Sequence, residues 1–232
     1  CMKCFFYQCI TFLMFFICCT RPHSQAKTSF YQWNDFVIGA DMSYVNEIED
    51  AGGVYKINDL PADPFEMLRS IGVNTARVRL WNHPSWKLPF TGGKLYSDLY
   101  DVEKTIRRAK AAGMAVNLDL HYSDTWADPA HQPTPAAWNN LTFDVLKDSV
   151  YQYTLQVLNY LKSKNLVPEM IQVGNENNNG ILWPTGKVNG NNFYAFAQLL
   201  NSGIKAVRDF SVSSDIKPRI ILHVAQLQFA DS

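Results

Sequence analysis

Apolar positions along the chain recur with two alternating periods. The segments "FVIGAD" (36–41), "NTARVRLWN" (74–82), "MAVNLDLHYS" (114–123), "MIQVGNE" (170–176) and "RIILHVA" (219–225) are short β-branched or alternating runs that predict strands. Longer stretches with helical spacing lie between them. "PFEMLRSIG" (64–72) predicts a short helix with Asp63 as its N-cap and Gly72 as its stop. Val102, Ile106 and Ala109 share one face of the next helix, which Gly113 ends. Leu146, Val150, Tyr153, Val157 and Leu161 mark a long helix, and Phe193, Phe196, Leu200, Ile204 and Val207 another. Regular alternation of strand and helix implies right-handed βαβ units and a parallel sheet, with no linker dividing it.

Two parallel architectures compete. A doubly wound sheet often carries a Gly-rich phosphate loop, but there is no GxGxxG after the first strand and no GxxxxGK[ST] anywhere. Polar residues sit instead at the C-terminal ends of successive strands: Asp41, then Arg79 and Asn82, His121, Asn175 and Glu176, and His223. Barrel enzymes build their sites at that rim, so the expected fold is α/β, a (β/α)8 TIM barrel. Five strands are countable, and eight units need about 250 residues, so only about the first five βα units are expected.

Composition narrows the partners. The chain has 232 residues, 47% hydrophobic and 18% charged, which suits one globular domain. Its 21 basic and 21 acidic residues balance, so no net field draws it to nucleic acid or an anionic membrane. All five cysteines fall in the first 19 residues, four of them within a Phe-rich run after Lys3 that small residues follow. That layout predicts a signal peptide over 1–26, cleaved after Thr20 or Ala26, because the run is short for a span of about 20 apolar residues. Residues 27–232 are then a secreted partial barrel, a monomer off the membrane, stabilised by core burial rather than disulfides. Cys1 stands ahead of Met2, as in a sequence with imperfect ends.

The rim residues suggest carbohydrate chemistry. Arg77 and Arg79 share one face of the second strand. Arg77, deeper, reads as a structural ion pair; Arg79, nearer the rim, is placed to keep a carboxylate ionised. His121 is placed to orient a carboxylate, to bond a sugar hydroxyl, or simply to be satisfied by neighbours. Trp81, Trp86, Trp126 and Trp183 cluster at strand ends, where an indole offers an apolar face to a pyranose ring; one or two of them are expected to pack loops instead. Asn82 counts with the substrate-binding positions. Glycoside hydrolysis needs one acid to protonate the leaving oxygen and a second carboxylate on the other side. Glu176, ending the fourth strand, fits the proton donor, and Asn175 is placed to bond the 2-hydroxyl. There is no HExxH and no metal-binding cysteine pair, so no catalytic metal is expected.

The segments "LRSIGVNTARVRLWNHP", "LDLHYSDTWADPAHQPTPAAW" and "QVGNENNNGILWPTGK" carry a closer likeness. With them, the chain resembles the arabinogalactan endo-β-1,4-galactanases of glycoside hydrolase family 53, in the clan of (β/α)8 retaining glycosidases. The resemblance implies Glu176 as acid/base with Asn175 its neighbour, Arg79 supporting a nucleophile, and His121 at the cleft. It adds Trp81, Trp126 and Trp183 as subsite walls, with Asp41 and Asp124 as further contacts. The implied partner is a polysaccharide, β-1,4-galactan, the neutral side chain of pectin, cut internally with retention. No cofactor is implied within these residues, and calcium is allowed only past their end. Two departures stand out. Asn177 occupies a position that is usually not an amide, and no glutamate follows Glu176, so the nucleophile is expected beyond Ser232 and the 232-residue form is expected to be inactive.

Two alternatives remain open on these residues: another endo-β-glycanase of the clan, acting on glucan or mannan, and a truncated carbohydrate-binding protein without chemistry. The sequon Asn140-Leu141-Thr142 predicts one N-glycan on chain secreted through a glycosylating pathway. Asn140→Gln should remove the mass increment that an endoglycosidase removes from the parent; equal masses for the two proteins count against it.

Overall fold

The computed structural model describes residues 36–225. The cysteine-bearing leader, both candidate cleavage points and the final seven residues lie outside that range. The element order is β1 (Gly39–Asp41), α1 (Val45–Asp50), β2 (Lys56–Ile57), β3 (Leu60–Pro61), α2 (Pro64–Ser70) and β4 (Thr75–Leu80), then α3 (Leu99–Ala111) and β5 (Ala115–Leu120). It continues with α4 (Phe143–Ser163), β6 (Met170–Val173), α5 (Tyr194–Val212) and β7 (Arg219–Ile221). Five strands form one parallel sheet in the order β1-β4-β5-β6-β7, and β2 and β3 form a separate antiparallel ribbon. In a doubly wound sheet the strand order reverses at a switch point. Here the sheet order follows the chain order, which is the arrangement of a barrel opened along one side.

The period of two in each strand separates two environments. Ala76, Val78 and Leu80 of β4, Val116, Leu118 and Leu120 of β5, and Ile171 and Val173 of β6 are fully buried in the apolar core. Lateral register puts Arg77 beside Asp41 and Asn117, and Asp119 beside Arg79 and Gln172, on the opposite face. The sheet therefore joins an apolar outer face to a polar inner one.

The helices cover the outer face. Asp63 caps α2 by accepting from Phe65 N at 2.8 Å and Glu66 N at 3.3 Å, and Gly113 leaves α3 with φ +72°. Val102, Ile106 and Ala109 of α3 are buried as the spacing predicts, as are Leu146, Val150, Val157 and Leu161 of α4. The predicted stripe of α5 packs on the core through Phe196, Leu200, Ile204 and Val207, but the deepest line of the helix runs beside it. Its buried residues are Leu199, Gly203, Ala206, Val207 and Phe210, while Phe193 is 49% exposed and Phe196, Leu200 and Ile204 are half-buried. The cause is Gly203, where a Cβ would stand 2.6 Å from Tyr122 Oη and 2.8 Å from Val173 Cγ1. The helix seats its bare backbone there, and hydropathy spacing does not count glycine as a contact.

The sequence reading also missed α1 and the β2–β3 ribbon. Arg108 of α3 holds α1 with two bonds to Glu49, at 2.6 and 2.8 Å, and reaches the α2 cap Asp63 at 2.8 Å. Asn140 and Thr142 are exposed on the loop before α4. Among the described residues no helix is long and apolar enough to cross a membrane.

Gly203→Val should lower stability by roughly 1–3 kcal/mol through overpacking against Tyr122 and Val173. Phe193→Ala should change it by less than about 0.5 kcal/mol. Urea unfolding midpoints of the two variants check both values.

Candidate active site

One guanidinium organises the inner face. Arg77 Nη1 donates to Asp41 Oδ2 at 2.5 Å, and Nη2 donates to Asp119 Oδ2 at 2.6 Å and Asn175 Oδ1 at 2.8 Å. Its Nε reaches Gln172 Oε1 at 3.2 Å. The five donors of an arginine thus cross-link β1, β4, β5, β6 and the turn after β6. Gln172 Nε2 completes the floor by donating to Asp119 Oδ1 at 2.7 Å. Asp119 is fully buried, and such a carboxylate is tolerable only because both oxygens are matched. At Asp41, burial acts to raise the pKa, but bonds from Ser43 and the charge of Arg77 outweigh it and hold the group below the usual carboxylate range.

Arg77 forms the structural ion pairs expected of it, with Asp41 and Asp119. Arg77 holds the carboxylates, whereas Arg79 is buried among rings, its Cζ 4.6 Å from the Tyr44 centroid and 4.2 Å from those of Trp81 and Trp126. It donates to Ser97 Oγ at 3.2 Å, its Nε has no hydrogen-bond partner, and among the described residues no salt bridge reaches it. Burial lowers its pKa. The alternation rule gives the face of a residue but not its depth, and one step along β4 leads from the polar floor into an aromatic layer.

Trp81 also departs from its expected role. It is 0% exposed, packed 5.5 Å from Trp126 and 5.6 Å from Trp86, so it has no free face for a sugar. The open rings are Trp126 (43% exposed), Trp86 (42%) and Tyr44 (38%), the last missed by the sequence reading. Trp183 is half-buried, fixed by Nε1 to Asn179 O at 3.0 Å, with Lys187 Nζ 4.4 Å from its ring. Lys87 lies buried behind the open rings, ion-paired with Glu47 and 5.2 Å from the Tyr44 centroid.

His121 is buried, its Nδ1 3.0 Å from Asp119 Oδ2 but off the line of a hydrogen bond, so both ring nitrogens lack a partner. Asp124 is occupied structurally: its carboxylate accepts His83 N at 3.0 Å and Ala136 N at 2.8 Å, clamping two loops. Asn82 is half-buried, with Oδ1 unpartnered. Among the described residues no cluster of three or more His, Cys, Asp or Glu could hold a metal ion.

Glu176 stands immediately beyond β6 in the left-handed region, φ 48° and ψ 55°. It is half-buried, and among the described residues its carboxylate makes no hydrogen bond or ion pair. Its neighbour Asn175 is fixed on all sides: Oδ1 accepts from Arg77 and from His223 Nδ1 at 2.9 Å, and Nδ2 donates to Ala127 O at 2.7 Å. The other asparagines each tie a separate piece of backbone. Asn177 Nδ2 donates to Val173 O at 2.9 Å, Asn179 Nδ2 to Pro129 O at 2.8 Å, and Asn178 makes two bonds with Ala225. Burial, then the Arg77 charge, lowers the pKa of His223 against the opposing pull of Asp119 and Glu176. The roles of Asp119, Gln172 and His223 were missed, although each occupies an inward or rim position that strict alternation points to.

Residues 37–231 match the profile of Glycosyl hydrolase family 53. An arabinogalactan endo-β-1,4-galactanase of Cellvibrio japonicus (strain Ueda107) is 43% identical over 204 residues, 87% of this chain and 52% of that protein. A solved Ignisphaera aggregans GH53 catalytic domain superposes with a TM-score of 0.75 at 37% identity, covering 85% of this chain and 54% of that one. A structure from a study of two fungal β-1,4-galactanases gives 0.71 at 38% identity, covering 80% and 52%. The chain spans about half the length of the curated relatives it matches.

Arg77→Met strands Asp119 without its cation and should cost about 3–5 kcal/mol, read from denaturant unfolding. The pH dependence has a definite sign. His223 titrates below its ordinary 6.5 in the fold, so its contribution to stability is full above 6.5 and is lost as pH falls through that value towards the folded one. Asp41, held below 3.8, adds a second loss at still lower pH. In an NMR titration the His223 midpoint should lie below 6.5. A milder Arg77→Lys variant, with fewer contacts to the network, should lower stability in the same direction by a smaller amount.

Proposed function

The chain belongs to glycosyl hydrolase family 53, and from that membership and the geometry after β6 we propose that it supplies the acid/base half of an endo-acting hydrolase of β-1,4-galactan. The observation that carries this reading is Glu176: a carboxylate at the barrel rim, left free by its neighbours, beside an Asn175 held rigidly by the Arg77 network. As the acid, Glu176 protonates the glycosidic oxygen while a second carboxylate attacks the anomeric carbon from the opposite side; the glycosyl intermediate then forms and the leaving sugar departs. In the second step Glu176 takes a proton from water, which releases the product with retained configuration. An amide has two N–H donors, and Asn175 spends one on Ala127 O, so the other is left for the 2-hydroxyl. Trp126, Trp86 and Tyr44 offer apolar ring faces to the sugars.

Retention needs the two carboxyls about 5 Å apart. Asp41 and Asp119 are committed to Arg77, so neither reads as the nucleophile. That group is assigned to the part of the relatives' length that this chain does not span, and the 232-residue polypeptide alone is expected to lack turnover. The leader supports secretion, and zero net charge suits a neutral polysaccharide such as the galactan of pectin.

In a protein that joins this segment to the remainder, Glu176→Gln should lower release of reducing ends from β-1,4-galactan by about 10²- to 10⁴-fold while galactan still retards it in affinity electrophoresis. Near-normal hydrolysis by that variant removes Glu176 from the chemistry. Binding without hydrolysis in the parent leaves only a carbohydrate-binding role.

A further inference from the structure

We propose that Gln132 is a positioning residue for Glu176, setting the direction of its side chain by gripping the two peptide groups that flank its Cα. The inference rests on the acid/base reading above, but its geometry stands without it. Gln132 comes from the loop between β5 and α4 and is buried. Its Nε2 donates to Asn175 O at 2.8 Å, Asp128 O at 3.0 Å and Glu176 O at 3.3 Å. The first and third of these carbonyls lie on either side of the Glu176 Cα. A donor touching both restrains φ and ψ of that residue together, and these angles fix the Cα–Cβ vector.

The restraint is needed because Glu176 is in the left-handed region, where the Cβ of an L-residue crowds the neighbouring carbonyl oxygen. Such a conformation persists only where the surroundings over-determine it. On the other side Asn177 N donates to His223 O at 2.8 Å, which holds the following peptide. Gln132 itself has a fixed base: Trp183 N donates to its carbonyl at 2.7 Å, and Thr134 Oγ1 donates to Trp183 O at 2.8 Å. The acid is thus aimed by an amide from a neighbouring loop, and Trp183 is coupled to that aim through two backbone contacts.

Gln132→Met keeps the length and burial but removes the donors. Asn179→Ala is the control, because Asn179 ties the same loop through Pro129 O without touching the peptides of Glu176. In ¹³C,¹⁵N-labelled 232-residue chain, Gln132→Met should abolish the positive-φ chemical-shift signature of Glu176, and Asn179→Ala should leave it in place. In the joined, hydrolytic protein, kcat should fall about 10²-fold with KM unchanged, as for a catalytic group moved by about 1 Å. A retained signature in Gln132→Met overturns the proposal, as do equal effects from both variants. Should Gln132→Met fail to fold, Gln132→Asn, which keeps the amide but withdraws it by one methylene, gives the same readings. The signature reports on Gln132 whatever the turnover does, so failure of the acid/base reading shows separately in Glu176→Gln.

Discussion

A guanidinium inside a barrel has to be matched by acceptors on every side, and much of this site follows from how Arg77 meets that demand. Its partners come from β1, β5, β6 and the turn beyond β6, so one charge sets the relative height of four segments. Asp119, fully buried, depends on it in turn, and Gln172 fills the remaining oxygen. The pairing is less a source of net stability than of registry, since buried ion pairs roughly repay their own desolvation. Removing Arg77 strands Asp119, whereas Arg77 without Asp119 still keeps Asp41.

Above that floor the physics changes from ion pairing to ring faces. Arg79 carries a charge into a nearly dry place and is compensated by Tyr44, Trp81 and Trp126, contacts that reach about 2 kcal/mol or more when desolvated. Lys87, paired with Glu47, backs the same group from the other side. Trp81 is consumed as mortar between these cations. Two of the rings left open to solvent, Trp126 and Trp86, stand on it, and Tyr44 leans on Trp126 at 6.3 Å. The open rings are thus seated on buried charge.

The third layer is backbone. Gly174 and Glu176 both have positive φ, so the chain turns sharply as it leaves β6. At Gly174 a Cβ would meet Asn177 Oδ1 at 2.4 Å, which makes glycine obligatory there. Asn177, Asn178 and Asn179 then spend their amides on Val173, Ala225 and Pro129, turning an amide-rich loop into a set of cross-ties. Glu176 is conspicuous within that set for keeping its side chain uncommitted.

Sequence alone determined the alternation of strand and helix, the polar inner face, the Asp63 cap and the position of Glu176, because each depends on periodicity or on local backbone chemistry. Motif likeness determined the family for the same reason: "HYSDTWADP" and "GNENNNG" are contiguous words. Side-chain surroundings were decided only by the fold. Arg77 and Arg79 share one face of β4, and although the strand order placed Arg77 deeper, only the fold shows that Arg79 meets indoles rather than carboxylates. Burial of Trp81, seating of α5 on Gly203 and the reach of Gln132 to the peptides of Glu176 likewise join residues far apart in the chain. Contacts of that kind have no signature in local spacing, because they arise only when separate βα units are packed side by side.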